Sequence, residues 1–106
     1  MTESKNTRRN ENIVYLELRR RGYAVDIGKV GRTEVDFIAR NGSQTEYYQV
    51  SASVLDELAL ERELTPLKSI KDNYPKYLIT LDDFPTDHNG VKQLNTIEWL
   101  LDKLDK

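Results

Sequence analysis

The 106-residue sequence contains no cysteine, which excludes a disulfide framework and a thiolate metal site and suits a reducing compartment. His88 is the single histidine, so no second imidazole is available to share a metal and nothing places a Ser-His-Asp arrangement. No apolar run approaches the ~20 residues that a membrane span needs. The opening MTESKNTRRN lacks the apolar stretch of a signal peptide. Internal repeats and low-complexity tracts are also missing. These absences leave one small domain with a single core, and the cytoplasm is its expected location.

What is abundant is charge. Hydrophobic residues make up 38% and charged residues 32%, with a net charge of −2 and a pI near 5.4, a balance that argues against a strong general nucleic-acid binder. The charges are unevenly placed. Residues 1–32 hold eight Lys/Arg against four acids, and the remainder holds eight against fourteen. A basic front end thus precedes an acidic body, and Arg8, Arg9, Arg19, Arg20 and Arg21 are the candidate nucleic-acid contacts. Arginines 19–21 also suit the carboxyl end of a helix, where cations complement the backbone dipole.

The first nine residues are expected to be a flexible segment or linker stub, followed by one domain over residues 10–106. ENIVYLELRRRGY reads as a helix with an apolar Ile13/Val14/Leu16/Leu18 side and Gly22 as its stop. AVDIGKV, TEVDFIAR and TEYYQVSAS read as strands, the last two joined by a hairpin at Asn41-Gly42, where a type I′ turn needs positive φ at both central residues. Alternation then puts Val35, Phe37 and Ala39 with Tyr48, Val50 and Ala52 on one face, and Glu34, Asp36, Tyr47, Gln49 and Ser51 on the other. A second helix starts behind a Ser53 cap, carries Leu60, Leu64 and Leu67, and is kinked or restarted at Thr65-Pro66. PKYLITLD is a fourth strand, FPTDHNG a loop and VKQL a short fifth strand. A last helix from Thr96 buries Ile97, Leu100, Leu101 and Leu104. The class is α/β, with a mixed sheet.

Two local patterns fail on inspection. Gly22 to Lys29 has the outline of a phosphate-binding loop, but with one residue too many and Val30 where Ser/Thr should hold magnesium. The Asp82, Asp83, Asp87, Asn89, Gly90 cluster does not align as a calcium loop, because the first ligand position would be Pro85 and the last Thr96.

One constellation remains: Glu11 on the first helix, Asp36 on the second strand, and Gln49-x-Ser51 on the third. A metal-dependent nuclease needs carboxylates converging on Mg²⁺ and a lysine beside the attacking water. The i, i+2 spacing of Gln49 and Ser51 puts both on one face of the strand, although a carboxamide and a hydroxyl stand where a carboxylate and an ammonium would act. The element order, with Glu11, Glu34-Val35-Asp36-Phe37 and Gln49-Val50-Ser51, resembles the PD-(D/E)XK nuclease superfamily. ENIVYLELRRRGYAVDIGKVGRTEVDFIAR, ERELTPLKSIKDNYPKYLITLDD and NGVKQLNTIEWL are similar to a C-terminal domain of unknown function found on prokaryotic AAA-type ATPases, over about residues 10–102.

The resemblance implies a restriction-endonuclease-like αβββαβ core with an additional C-terminal helix, and an ATPase domain of the parent protein as partner. It implies that Glu11 is the helix glutamate, Asp36 the metal-binding aspartate, Gln49 the residue at the Asp/Glu position and Ser51 the residue at the lysine position. With the lysine replaced, the expected function is a non-catalytic recognition or assembly module that needs no cofactor and contacts nucleic acid through its basic helix. The alternative is a nuclease whose Mg²⁺ or Mn²⁺ is held by Glu11 and Asp36, with Gln49 as a weak third ligand and a lysine relocated to Lys68 or Lys71.

Overall fold

The computed structural model describes residues 4–102. Helix α1 spans Lys5–Arg20, and strands β1 (Ala24–Val30), β2 (Thr33–Asn41) and β3 (Gln44–Val50) follow it. Helix α2 (Glu57–Ser69), strand β4 (Lys76–Thr80), strands β5 (Thr86–His88) and β6 (Val91–Asn95), and helix α3 (Thr96–Leu101) complete the chain. The six strands form one mixed sheet in the order β1-β2-β3-β4-β6-β5. Its β3-β4 and β4-β6 pairs are parallel and the other three pairs are antiparallel.

Helices cover both faces of the sheet, because its strands carry apolar side chains on both sides. On one face Val14 and Leu18 of α1 and Trp99 of α3 pack with Phe37, Ala39, Tyr48, Val50 and Ile79. On the other, Leu64 and Leu67 of α2 pack with Val35, Ile38, Tyr47, Leu78 and Val91. Fully burying one such aliphatic side chain is worth roughly 1.5–3 kcal/mol.

Several boundaries differ from the sequence expectation. Helix α1 begins at Lys5, capped by Ser4, whose side chain accepts the amide of Thr7. Residues 5–9 are therefore helical rather than a linker. Its buried stripe is Asn10, Val14, Glu17 and Leu18, while Ile13 and Leu16 are exposed. The α2 cap is Asp56 rather than Ser53, and the helix runs through Pro66 to Ser69. Ser53 is spent instead on Asp82, whose carboxylate also accepts the amide of Val54. In α3, Thr96 and Trp99 are buried and Ile97 and Leu101 exposed. Leu104 lies outside the described residues.

Turn chemistry explains two further differences. Asn41 pairs with Gln44, so the two-residue turn is Gly42-Ser43 with positive φ at Gly42 alone, the φ pattern of a type II′ turn. The type I′ pattern occurs at the other Asn-Gly step. Asn89 (φ 54°) and Gly90 (φ 99°) both take positive φ between His88 and Val91, which pair. That turn makes a strand of Thr86–His88, read from sequence as loop.

Alternation along β2 also slips. Asp26 pairs with Ile38 and Gly28 with Val35, so two β2 residues, Asp36 and Phe37, face the single residue Ile27. This β-bulge moves Val35 to the α2 side of the sheet, away from Phe37 and Ala39. It also sets Asp36 at the point where β2 and β3 part.

Candidate functional site

The β2–β3 ladder runs from the hairpin up to Phe37↔Tyr48. Beyond it β2 stays paired with β1, through Val35↔Gly28 and Glu34↔Lys29, while β3 continues along β4. The two strands fork, and the fork opens into a cleft of about 880 Å³. Asp36, Gln49 and Ser51 all line it, together with Lys29, Glu34, Arg62 and Glu63.

At the fork the two motif side chains stand in for ladder bonds. Val50 donates its amide to Asp36 Oδ2 at 2.8 Å, and Asp36 donates its own amide to Gln49 Oε1 at 2.7 Å. Gln49 is buried, and its Nε2 makes longer contacts, 3.4 Å each, to Glu63 O and Oε1 on α2. Ser51 Oγ donates to the carbonyl of Ser53. Each of these contacts serves the local backbone or an adjoining helix.

The α1 side of the fork is closed by two residues that the sequence analysis did not single out. Ala52 donates its amide to Thr7 Oγ1 at 2.9 Å, and Asn10 Nδ2 donates to the carbonyl of Ser51 at 3.0 Å. Asn10 Oδ1 accepts from Thr96 Oγ1 at 2.8 Å, which ties α1, the end of β3 and α3 together. The spacing of Asn10 with Val14, Glu17 and Leu18 was the available signal, since it puts an amide on the buried stripe. Glu11 is half-buried, and it is not among the residues lining the cleft.

A divalent cation needs several converging oxygens. Asp36 Oδ2 and Gln49 Oε1 are turned to amides. Among the described residues no three His, Cys, Asp or Glu side chains gather as a metal-holding group. As arranged, this donor set does not fit Mg²⁺ or Mn²⁺. Neither Lys68 nor Lys71 lines the cleft; its basic residues are Lys29, 3.9 Å from Glu34, and Arg62.

The chain is similar to part of a bacterial protein. An uncharacterized protein of Haemophilus influenzae is 43% identical to it over 94 residues, which make up 88% of this chain and 23% of that protein. The chain thus spans about a quarter of that relative's length. No family model and no solved structure matches. Among the described residues no helix is long and apolar enough to cross a membrane.

The arginines of α1 divide into two groups. Glu17, buried beneath the helix end, accepts from Arg20 Nη2 at 2.7 Å and from Arg21 Nε at 2.8 Å. Arg21 also donates to the Trp99 carbonyl at 2.7 Å and stacks 4.5 Å over the Trp99 ring. Arg8, Arg9 and Arg19 are exposed.

The hydrogen bond from Arg20, followed by that from Arg21, draws the Glu17 carboxyl down from 4.5 to about 2 against the opposing effect of burial. A depressed carboxylate pKa stabilises the fold fully above the unfolded value, and that stability is lost as pH falls through the folded value. The side chain of Arg20 is 71% exposed, so solvent screening trims the contribution to about 1.5 kcal/mol. Stability is expected to drop by that amount between about pH 4.5 and pH 2, with the drop absent in Glu17→Gln, as urea melts across that window would show.

Proposed function

We propose that this domain is a non-catalytic module with a restriction-endonuclease-like αβββαβ core, serving recognition or assembly for an ATPase domain of the same parent protein in a prokaryotic cytoplasm. The observation that carries this reading is the reciprocal use of the motif residues. Asp36 Oδ2 accepts the amide of Val50 and Gln49 Oε1 that of Asp36, and a buried serine stands at the lysine position. The order α1-β1-β2-β3-α2-β4 supports the core assignment, with α3 as the added helix. About three quarters of the Haemophilus relative lies outside the match, which leaves room there for a nucleotide-hydrolysing domain.

The second reading is a Mg²⁺- or Mn²⁺-dependent nuclease. In its favour, Glu34, Asp36, Glu63, Lys29 and Arg62 share one cleft. It requires the Asp36 carboxylate either to bind the metal while Oδ2 still accepts the Val50 amide or to let that amide go.

Asp36→Asn in the full-length parent separates the two readings. A carboxamide oxygen can still accept the Val50 amide, so a module role predicts unchanged parent function. A nuclease that uses Asp36 as a ligand would lose activity about a hundredfold or more while remaining folded. The module reading includes nucleic-acid contact through the basic helix, where Arg8, Arg9, Arg19 and Arg20 are exposed and Arg21 is tied to Glu17 and Trp99. Such contact would show as affinity falling steeply with salt.

A further inference from the structure

The outer face of α1 has an unusual composition. Of its exposed positions, five are cations (Lys5, Arg8, Arg9, Arg19 and Arg20), two are the aliphatics Ile13 and Leu16, and the other two are asparagines. Neither acid of α1 is exposed on this face, although Glu17 pairs with Arg20 from beneath it. Glu17 is buried under Arg20 and Arg21, and Glu11 is half-buried on the stripe of Thr7, Val14 and Leu18 that meets the sheet. Leu16 is 65% exposed and Ile13 41%. Cations alone would suit phosphates, but two large aliphatics set among them suit a protein surface with apolar anchors and an acidic surround.

A surface of that complementary kind occurs at the start of α2. Leu55 and Leu58 are 76% and 71% exposed. Asp56, Glu57 and Glu61 around them are exposed as well, as is Arg62, which also lines the cleft, so the patch carries three acids to one cation. Helices α1 and α2 lie on opposite faces of the sheet, so the two patches cannot meet within one molecule but can meet between two.

We propose that the basic, leucine-bearing face of α1 docks on the acidic, leucine-bearing start of α2 of a second copy of this chain. The contact is heterologous, so a dimer keeps one unused patch of each kind, one on each copy, and association proceeds head to tail. It is independent of the cleft and of any metal.

Sedimentation of the full chain, from about 10 μM to about 1 mM, tests the proposal, with one variant for each patch. Leu16→Glu spoils the α1 patch and Leu58→Glu the α2 patch. Both sites are exposed, so unchanged thermal melts will show that the fold is kept. Wild type is expected to gain mass with concentration above 12.4 kDa, and to lose that gain at high salt. Each variant alone should bind itself at least about tenfold more weakly. An equimolar mixture of the two should form a dimer and stop there, because only one good junction remains. The proposal is overturned by a wild type that stays monomeric to about 1 mM, by a mixture that stays monomeric, or by variants that associate as wild type does. Duplex DNA that binds α1 equally in wild type and Leu16→Glu, with the protein monomeric, would assign the face to nucleic acid instead.

Discussion

Replacing Asn10 by alanine is expected to cost about 3 kcal/mol of stability. Asn10 is 1% exposed and serves as both donor and acceptor: its Nδ2 satisfies the Ser51 carbonyl, and its Oδ1 accepts from Thr96. Thr96 is fully buried, and its hydroxyl also lies 3.0 Å from the Thr80 carbonyl, so one proton is shared by two acceptors. Alanine would leave the Ser51 carbonyl without this donor at the floor of the fork and open a void where α1, β3 and α3 meet. Asn10→Asp should cost no less, because a carboxylate placed there faces the Ser51 carbonyl and is buried without a cation. Urea melts of the two variants check this. A loss under about 1 kcal/mol would mean that water replaces the amide and that the helix-to-fork tie is dispensable.

Asp36→Ala is the second large effect, with an expected loss of about 2–3 kcal/mol. The amide of Val50, a residue 1% exposed, loses a charged acceptor, and the bulge in β2 loses the side chain that holds it to β3. Asp36→Asn keeps an acceptor oxygen and is expected to cost under about 1 kcal/mol. This ordering distinguishes a structural carboxylate from a metal ligand. Clearing a carboxylate from a cation site usually relieves like-charge repulsion and stabilises the apo protein. If Asp36→Ala melts higher than wild type, the role of Asp36 in closing the fork is wrong.

Much of this fold was legible from alternation and helical spacing, because four strands and two helices carry enough apolar residues to declare their period. Where the reading failed, the missing information was tertiary. Strand β5 has no apolar residue in Thr86-Asp87-His88, and only the turn at Asn89-Gly90 commits it to pairing. The other Asn-Gly step looked equivalent, but pairing along β2 and β3 shifted its turn by one residue to Gly42-Ser43. The α1 stripe was misjudged because Ile13 and Leu16 are apolar yet exposed, while Asn10 and Glu17 are polar yet buried. Those two polar residues tie the fork and the helix end.

The site was partly legible as well. Asp36, Gln49 and Ser51 all line one cleft, and the i, i+2 spacing accounts for Gln49 and Ser51. The bulge between Asp26 and Gly28 of β1 and the facing β2 residues was not. No local propensity marks it, yet it turns the Asp36 carboxylate onto a backbone amide. The cleft's lysine, Lys29, was also missed, since strand alternation gives no hint that the β1 edge borders the fork.

The central claim is that Asp36 and Gln49 close the β2–β3 fork instead of holding a cation. The most direct test is amide NMR during a Mn²⁺ titration of the full chain. The account predicts no selective broadening of the amides of Asp36, Gln49 and Val50 at sub-millimolar Mn²⁺, with any broadening confined to exposed acids such as Asp83 and Asp87. Selective broadening at those three amides together with Glu11, at a metal concentration that spares the surface acids, would contradict it and make the cleft a metal site.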